Sequence, residues 1–266
     1  YGFQSTRTLH VMMEAKQLAY ADVLRYVGDP ALSHIPVTGM LDPAHAAQRA
    51  RLIDTTRATC SVAPSDEASI ADKKGGDTIY LTVIDKDGNI VSLIQSNYDE
   101  FGSGLVPAGA GFVLHDRGAL FTLEADRANT LAPRKRPLNT IIPAFMKKDS
   151  VRIGFGIMGG WNQAQAHAQF VSDIADFGMN IQQALEAGRF TKTNFSGCDF
   201  NIESLVPQAV RDSLSAMGHV LRVIQPRSGT FGWGQAVLGT AGGVHFGASE
   251  PRHDGAAIPQ EIPIRP

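Results

Sequence analysis

The chain has 266 residues, 24 Lys plus Arg, 26 Asp plus Glu and a formal net charge of −2, so no overall field draws it to nucleic acid or to an anionic membrane. With 43% hydrophobic and 19% charged residues it has the composition of a folded chain, not of a disordered one. Mean hydropathy is −0.08, and no apolar run approaches the roughly 18 residues of a membrane-spanning helix.

Residues 5–27 have helical periodicity, with Leu9, Met12, Ala19, Val23 and Val27 on one stripe and Ser5 or Thr6 able to cap the start. Gly28-Asp29-Pro30 ends that helix. A second opens at Asp42-Pro43, with Asp as N-cap and Pro in the first helical position, and is expected to reach about Ile53. Both are expected to be packing elements. Between Thr55 and Gly76 the residues become polar, small and aperiodic, which predicts an exposed, mobile linker.

Then β structure starts abruptly. Thr78 to Ile84 is β-branched and aromatic, Ile90 to Ser96 matches it, and Asp87-Gly88-Asn89 between them signals a hairpin. A glycine-rich loop follows (Gly102, Gly104, Gly109, Gly111), then a strand expected at Phe112-Val113-Leu114 and a strand pair at Ile141 to Met146 and Val151 to Ile157. Helices are expected over Asn162 to Phe177 and Ile181 to Ala187. A βαβ-like unit comes next, with strands near Phe200 to Ile202 and Val220 to Ile224 around a helix from Pro207 to Met217. Strands near Gln235 to Leu238 and Val244 to Gly247 close the series, and this order predicts an α+β layered fold of mostly antiparallel sheets.

Several features carry no site. The eight histidines include no His-x-x-x-His pair beside a Glu, so no metal is expected. Asp85 to Asn89 only superficially resembles a calcium loop, since Gly falls at the fourth position and Ser96 at the twelfth. Lys135-Arg136 reads as solvated surface, and the glycine pairs lack the lysine of a phosphate loop. Cys60 and Cys198 cannot build a disulfide framework or a zinc cluster by themselves, and are expected to be reduced, partly buried thiols.

Two positions are more informative. Gly159-Gly160 lies where a strand ends and a helix begins, so two adjacent amide N–H groups either line a cleft, as in an oxyanion hole, or only shape a tight turn. Thr78 follows Gly-Gly-Asp and opens the first strand. It is either an ordinary strand residue or, if the bond to Asp77 is cut, a nucleophile with its own α-amine as base. Such an amine titrates near 7.7–8.0, which suits general-base work around neutral pH.

Taken together, Asp77 to Asn89 resembles the start of the small subunit of γ-glutamyltranspeptidases, which are N-terminal-nucleophile hydrolases. Phe101-Gly102-Ser103-Gly104, Lys135-Arg136-Pro137-Leu138, Met158-Gly159-Gly160 and Gly247-Ala248-Ser249-Glu250-Pro251-Arg252 follow in family order. Upstream, Glu14-Ala15-Lys16, Ala19 to Asp22 and Gly28-Asp29-Pro30 look like the end of the large subunit. The resemblance implies an αββα sandwich, incomplete on its N-terminal side, and cleavage between Asp77 and Thr78. It divides the chain into 1–54, the helical end of a large-subunit-like segment; 55–77, a linker ending at the cleavage site; and 78–266, a small-subunit-like catalytic segment. Thr78 would attack an amide carbonyl, Gly159 and Gly160 would hold the oxyanion, and Ser96 would supply a hydroxyl beside the nucleophile.

Departures from the family pattern bear on substrate. Tyr98 stands where γ-glutamyl enzymes have an Asn, Arg117 to Leu120 replaces their acidic pair, and Asn139-Thr140 replaces their paired Ser. An aliphatic side chain cannot pair with a substrate ammonium, whereas Arg117 favours a carboxylate; the alternative for Arg117 is an ordinary surface charge. The implied reaction is hydrolysis of a small, carboxylate-bearing amide, similar to the oxamate amidohydrolase branch, with no cofactor. A γ-glutamyltransferase or glutathione hydrolase is the rival, and a non-catalytic, unprocessed or truncated fragment is the third possibility. The chain begins at Tyr1 without Met, leader or tag and reads as a piece of something longer. Its expected partner is therefore the missing large-subunit portion or a companion chain; a homo-oligomer stays open, and the compartment, cytoplasmic or periplasmic, is not fixed.

Overall fold

The computed structural model describes residues 1–62, 77–192, 195 and 197–260. Three helices come first: α1 (Thr6–Tyr26), α2 (Val37–Met40) and α3 (Pro43–Ala50). Ser5 caps α1 by accepting from Thr8 N–H, and Asp42 caps α3 by accepting from Ala44 N–H. The buried stripe of α1 is rotated from the expected one: Ala19 is exposed, while His10, Met13, Glu14, Gln17 and Tyr20 are buried. Apolar spacing alone missed it because half of that face is polar. The second expected helix stops at Ala50, three residues early, and buries no side chain, so α3 is not a packing element.

Strands β1 (Asp77–Ile84) and β2 (Ile90–Tyr98) pair antiparallel as the expected hairpin. Thr78, Tyr80, Thr82 and Ile84 face inward with their cross-strand partners Ser96, Ile94, Ser92 and Ile90. Outward, Ile79, Leu81, Val83, Val91 and Leu93 form an exposed apolar face. Below the hairpin lies a four-stranded antiparallel sheet in the order β3 (Ala144–Lys148), β4 (Val151–Ile157), β8 (Gly234–Gly239) and β9 (His245–Ser249). Helices α4 (Asn162–Ala175) and α5 (Ile181–Glu186) cover its far side. Ile153, Phe155 and Ile157 of β4 point to those helices and build the main core with Phe170 and Leu185. Each such side chain contributes roughly 1.5–3 kcal/mol by leaving water. The third sheet is β5 (Phe190–Thr191), β6 (Asp199–Glu203) and β7 (Val220–Ile224); β6 and β7 are parallel and joined through α6 (Gln208–Ala216), the expected βαβ unit. Helix α1 packs on this unit through Leu9 and Met13.

On the face opposite the core, β4 presents Gly154 and Gly156 to the hairpin. A Cβ at Gly156 would sit 2.5 Å from the Tyr80 ring, and one at Gly154 would sit 2.5 Å from an Ile90 methyl. Only glycine lets the two sheets come this close. The result is helix–sheet–sheet layering, with antiparallel pairing everywhere except β6–β7.

Three other expectations fail. Phe112 to Leu114 is not a strand; it belongs to an irregular loop whose Leu114 N–H bonds Leu105 C=O. The β3 strand starts at Ala144, not Ile141, because Ile142 N–H is taken by Gln163 Oε1 instead of by a strand. Cys60 and Cys198 are not reduced thiols but are joined as a disulfide, their Cα atoms 4.5 Å apart. The expected linker lies mostly outside the described residues, but its first part is tied down: Ala58 N–H bonds Met217 C=O at 2.7 Å. No helix among the described residues is long and apolar enough to cross a membrane.

Candidate active site

The pairing of β1 with β2 sets the site. Thr78 lies opposite Ser96, and the register shifts just before it, between Asp77 and Thr78, so that Asp77 pairs with Tyr98. The extra residue kinks the end of the hairpin. Tyr98 takes φ +83°, a strained conformation for a bulky side chain, and its N–H is held by Ser96 Oγ at 2.9 Å.

A chain of polar contacts runs from Thr78 into the protein. Thr78 Oγ1 and Ser96 Oγ are 2.9 Å apart. Arg117 donates to Ser96 Oγ and to Thr140 Oγ1, each at 2.9 Å, and its guanidinium lies 4.9 Å from the centre of the Tyr98 ring. Thr78, Tyr98, Arg117 and Thr140 are all buried. Arg117 sits on a short 3₁₀ turn, Arg117–Leu120, and is 2% exposed, so it is not a surface charge. Burial pulls its pKa below the ordinary arginine value. Among the described residues no carboxylate lies within ion-pair distance of it; two hydroxyls and an aromatic face are its direct companions, and the Asp116 charge acts on it from further away. Asn139 stands apart: it is exposed, and its side chain accepts from Ile141 N–H. The Asp77 side chain lies outside the described residues.

The stacking of the sheets lays the inward residues of β1 along the glycines of the sheet below. Along the hairpin, Ile84 lies by Gly239, the partner of Arg152; Thr82 lies by Gly154 and Tyr80 by Gly156. Two residues of β1 thus match two of β4, running in opposite directions, so the Thr78 end of β1 lies towards the end of β4 that leads into Met158 and the glycine pair. Gly159 has φ +133° and Gly160 φ +55°. Their carbonyls accept from the first N–H groups of α4, Asn162 N and Gln163 N. Neither glycine N–H has an acceptor among the described residues, although Gly160 is buried. Trp161, the next residue, shares a cluster with Tyr98, Leu138, Leu120 and Tyr20, and Tyr20 OH bonds its C=O. The pieces converge at one end of the sandwich.

Behind the glycine pair is a network that residue spacing did not reveal. Arg252 pairs with Glu203 (2.6 Å) and Glu250 (3.0 Å), and Arg189 pairs with Glu250 (3.4 Å). Arg189 also donates to Phe231 C=O and Gly232 C=O, in the loop whose Trp233 C=O holds Met158 N–H. All four charged side chains are buried. Burial lowers the Arg189 pKa to about 10, and Arg252 and the carboxylates act on it in opposite directions. Glu250 and Arg252 stood in the quoted C-terminal motif; Glu203 and Arg189 gave no signal of their own.

Among the described residues, only His10, Glu14 and His219 are grouped closely enough to hold a metal ion. They are already engaged with one another and the backbone: His10 bonds His219 at 2.8 Å and Asp54 C=O at 2.7 Å, and Glu14 accepts from Thr59 N–H. The cluster reads as a hydrogen-bonded support under residues 54–59.

With this geometry in place, the comparisons are decisive. The family model described as Gamma-glutamyltranspeptidase matches residues 1–260. The chain belongs to the γ-glutamyltranspeptidase family. Within it, the chain is 33% identical over 253 residues to the glutathione hydrolase-like YwrD proenzyme of Bacillus subtilis, covering 94% of this chain and 46% of that protein. It is 31% identical over 255 residues to the oxamate amidohydrolase proenzyme of Klebsiella pneumoniae, covering 94% and 47%. The structure of cephalosporin acylase from Bacillus halodurans superposes with a TM-score of 0.85 at 35% identity, covering 98% of this chain and 47% of that one. The chain therefore spans about half the length of these γ-glutamyltranspeptidase relatives and shares their sandwich fold.

Proposed function

We propose that the protein is an N-terminal-nucleophile amidohydrolase that acts on a small amide carrying a carboxylate. Scission of the Asp77–Thr78 bond makes Thr78 a terminus. Its Oγ1 attacks the amide carbonyl carbon, the Thr78 α-amine takes the hydroxyl proton and passes it to the leaving nitrogen, and water then hydrolyses the acyl-enzyme. Thr78 Oγ1 donates to Ser96 Oγ at 2.9 Å, a hydroxyl that also accepts from Arg117 and from Tyr98 N–H, so Ser96 orients the Thr78 hydroxyl until the freed α-amine takes its proton. The N–H groups of Gly159 and Gly160 take the oxyanion, each donor being worth about 2.7–4 kcal/mol in such sites.

The observation that carries the substrate class is Arg117, a buried guanidinium in the hydrogen-bond chain of the nucleophile with no carboxylate partner among the described residues. A buried charge with only the more distant Asp116 to offset it is costly, and an anionic substrate would supply a closer counter-charge. Thr140 helps to aim the guanidinium, and the Tyr98 ring supports it. Scission is supported by the word proenzyme in the names of both curated relatives. In the processed protein, 1–54 and 55–77 would be the end of the upstream piece and 78–266 the downstream one. The exposed apolar face of the β1–β2 hairpin is where the rest of a large subunit would sit.

Mass spectrometry and a small-amide panel on the full-length protein provide the test. We expect a mature species beginning at Thr78 that hydrolyses oxamate-like amides faster than glutamine or glutathione. An intact Asp77–Thr78 bond in turning-over material would remove the mechanism. Glutathione hydrolysis or γ-glutamyl transfer is the second reading, favoured by the name of the Bacillus subtilis relative; it requires release of glutamate from glutathione or its transfer to a dipeptide.

A further inference from the structure

The Cys60–Cys198 disulfide joins two parts of the chain that the proposed scission would separate. Cys60 lies upstream of Thr78 and Cys198 downstream, just before β6, and the sequence holds no other cysteine. The residues around Cys60 are seated on both sides of that divide. On the upstream side, Thr59 N–H donates to Glu14 of α1, and Asp54 C=O bonds His10. On the downstream side, Ala58 N–H bonds Met217 C=O, and Gly197 N–H bonds Cys60 C=O at 3.0 Å. Cys198 is buried, whereas Cys60 is exposed and within reach of a soluble thiol.

Resting on the Asp77–Thr78 scission proposed above, we propose that Cys60–Cys198 is the covalent tether that keeps the two cleavage products together, so that the mature protein is a disulfide-linked pair of chains that thiol reductants release. The remaining links across the divide are noncovalent, among them the pair of buried Asp29 with exposed Arg136 (2.7 Å). A tether replaces bimolecular association by an intramolecular one, with an effective concentration around the millimolar range. The processed pair therefore stays whole at dilutions where untethered chains would part. Reduction is an ordinary exchange: a dithiol gives two electrons and two protons to the pair of sulfurs and becomes a disulfide itself.

The full-length protein is produced under oxidising conditions, quenched with an alkylating agent, and run on denaturing gels with and without dithiothreitol. The expected result is one species without reductant and two with it, one of them beginning at Thr78. Two species without reductant would overturn the tether while leaving scission intact. One species under both conditions would overturn scission and the tether together, and peptide mapping would still show whether the two cysteines are paired. As a second measurement, Cys198→Ser and Cys60→Ser are each diluted to nanomolar concentration beside the parent protein. Both variants should lose at least about tenfold in specific activity, while the parent keeps its own. Equal retention by all three would overturn a holding role for the bond.

Discussion

Arg117 and Arg252 are both buried guanidiniums, and their surroundings could hardly differ more. Arg252 reaches two buried carboxylates, Glu203 and Glu250, and donates further to Leu185 C=O and Ala187 C=O. Arg117 reaches two hydroxyls and an aromatic ring. The first is compensated within the protein and locks β6, the end of α5 and the chain after β9 into one block. The second keeps its charge available at the end of the hairpin. Burial by itself thus says little about what a cation does; its counter-charges do.

The comparison can be broken at several points. The largest effect is expected from Thr78→Ala: no scission by mass spectrometry and turnover down by at least about 10³-fold, because nothing replaces the nucleophile. Arg252→Ala should cost about 3–5 kcal/mol in urea unfolding, since it strands Glu203 and Glu250 in the interior. Arg117→Met, of similar volume, should leave stability within about 1 kcal/mol but lower kcat/KM for carboxylate-bearing amides by roughly 10–100-fold, sparing a neutral amide. If Arg117→Met destabilised as much as Arg252→Ala, the division into structural and functional arginines would fall.

The compensated region should also dominate the pH dependence of stability. Burial lowers His167 and His219 to about 4 and raises Asp173 to about 7, with Arg189 adding to the shift of His167 and opposing that of Asp173. As pH falls from about 6.5 to 4, the unfolded chain gains protons on both histidines that the folded chain does not take, so stability declines. Asp173 has the opposite sign: its folded form holds a proton that the unfolded form has lost, so its contribution wanes as pH rises from about 4 to 7. The two histidines oppose Asp173 and, with it, Glu14 and Glu250, whose pKa values burial also raises; the histidine share is read as a fall in Tm between pH 6.5 and 4.5 that shrinks when a histidine is replaced. His167→Gln should flatten that slope; an unchanged slope would remove His167 from the account. Smallest of all, Ser96→Ala should slow turnover a few-fold, as expected from one lost hydrogen bond of about 1 kcal/mol.

Much of this was legible in the residues, for reasons that can be named. The β1–β2 hairpin follows from two β-branched runs around Asp87-Gly88-Asn89, and the βαβ unit from its alternating periods. Thr78, Ser96, Tyr98, Arg117 and Thr140 could be singled out through ordered motifs, and the structure brings these five together. Asn139 shows the limit: adjacent residues on an extended segment point opposite ways, so Thr140 turns in while Asn139 turns out. The disulfide was unreadable because two cysteines separated by 138 positions carry no spacing signal. The pairing of Glu250 and Arg252 with Arg189 and Glu203 was unreadable because the four residues come from three separate segments. The polar half of the buried face of α1, His10 and Glu14 above all, hid from a search for apolar periodicity.

Gly156 gives the molecule a built-in gauge. Because Tyr80 rests on its bare backbone, the thickness of the sandwich at that point is set by the absence of one carbon atom. Adding a methyl there would act as a shim under the hairpin, lifting the Thr78 end of β1 away from the sheet below without altering a single polar group. Graded substitutions at this position would test, through the separation of the two sheets alone, how closely the proposed Thr78 chemistry depends on the thickness of the sandwich.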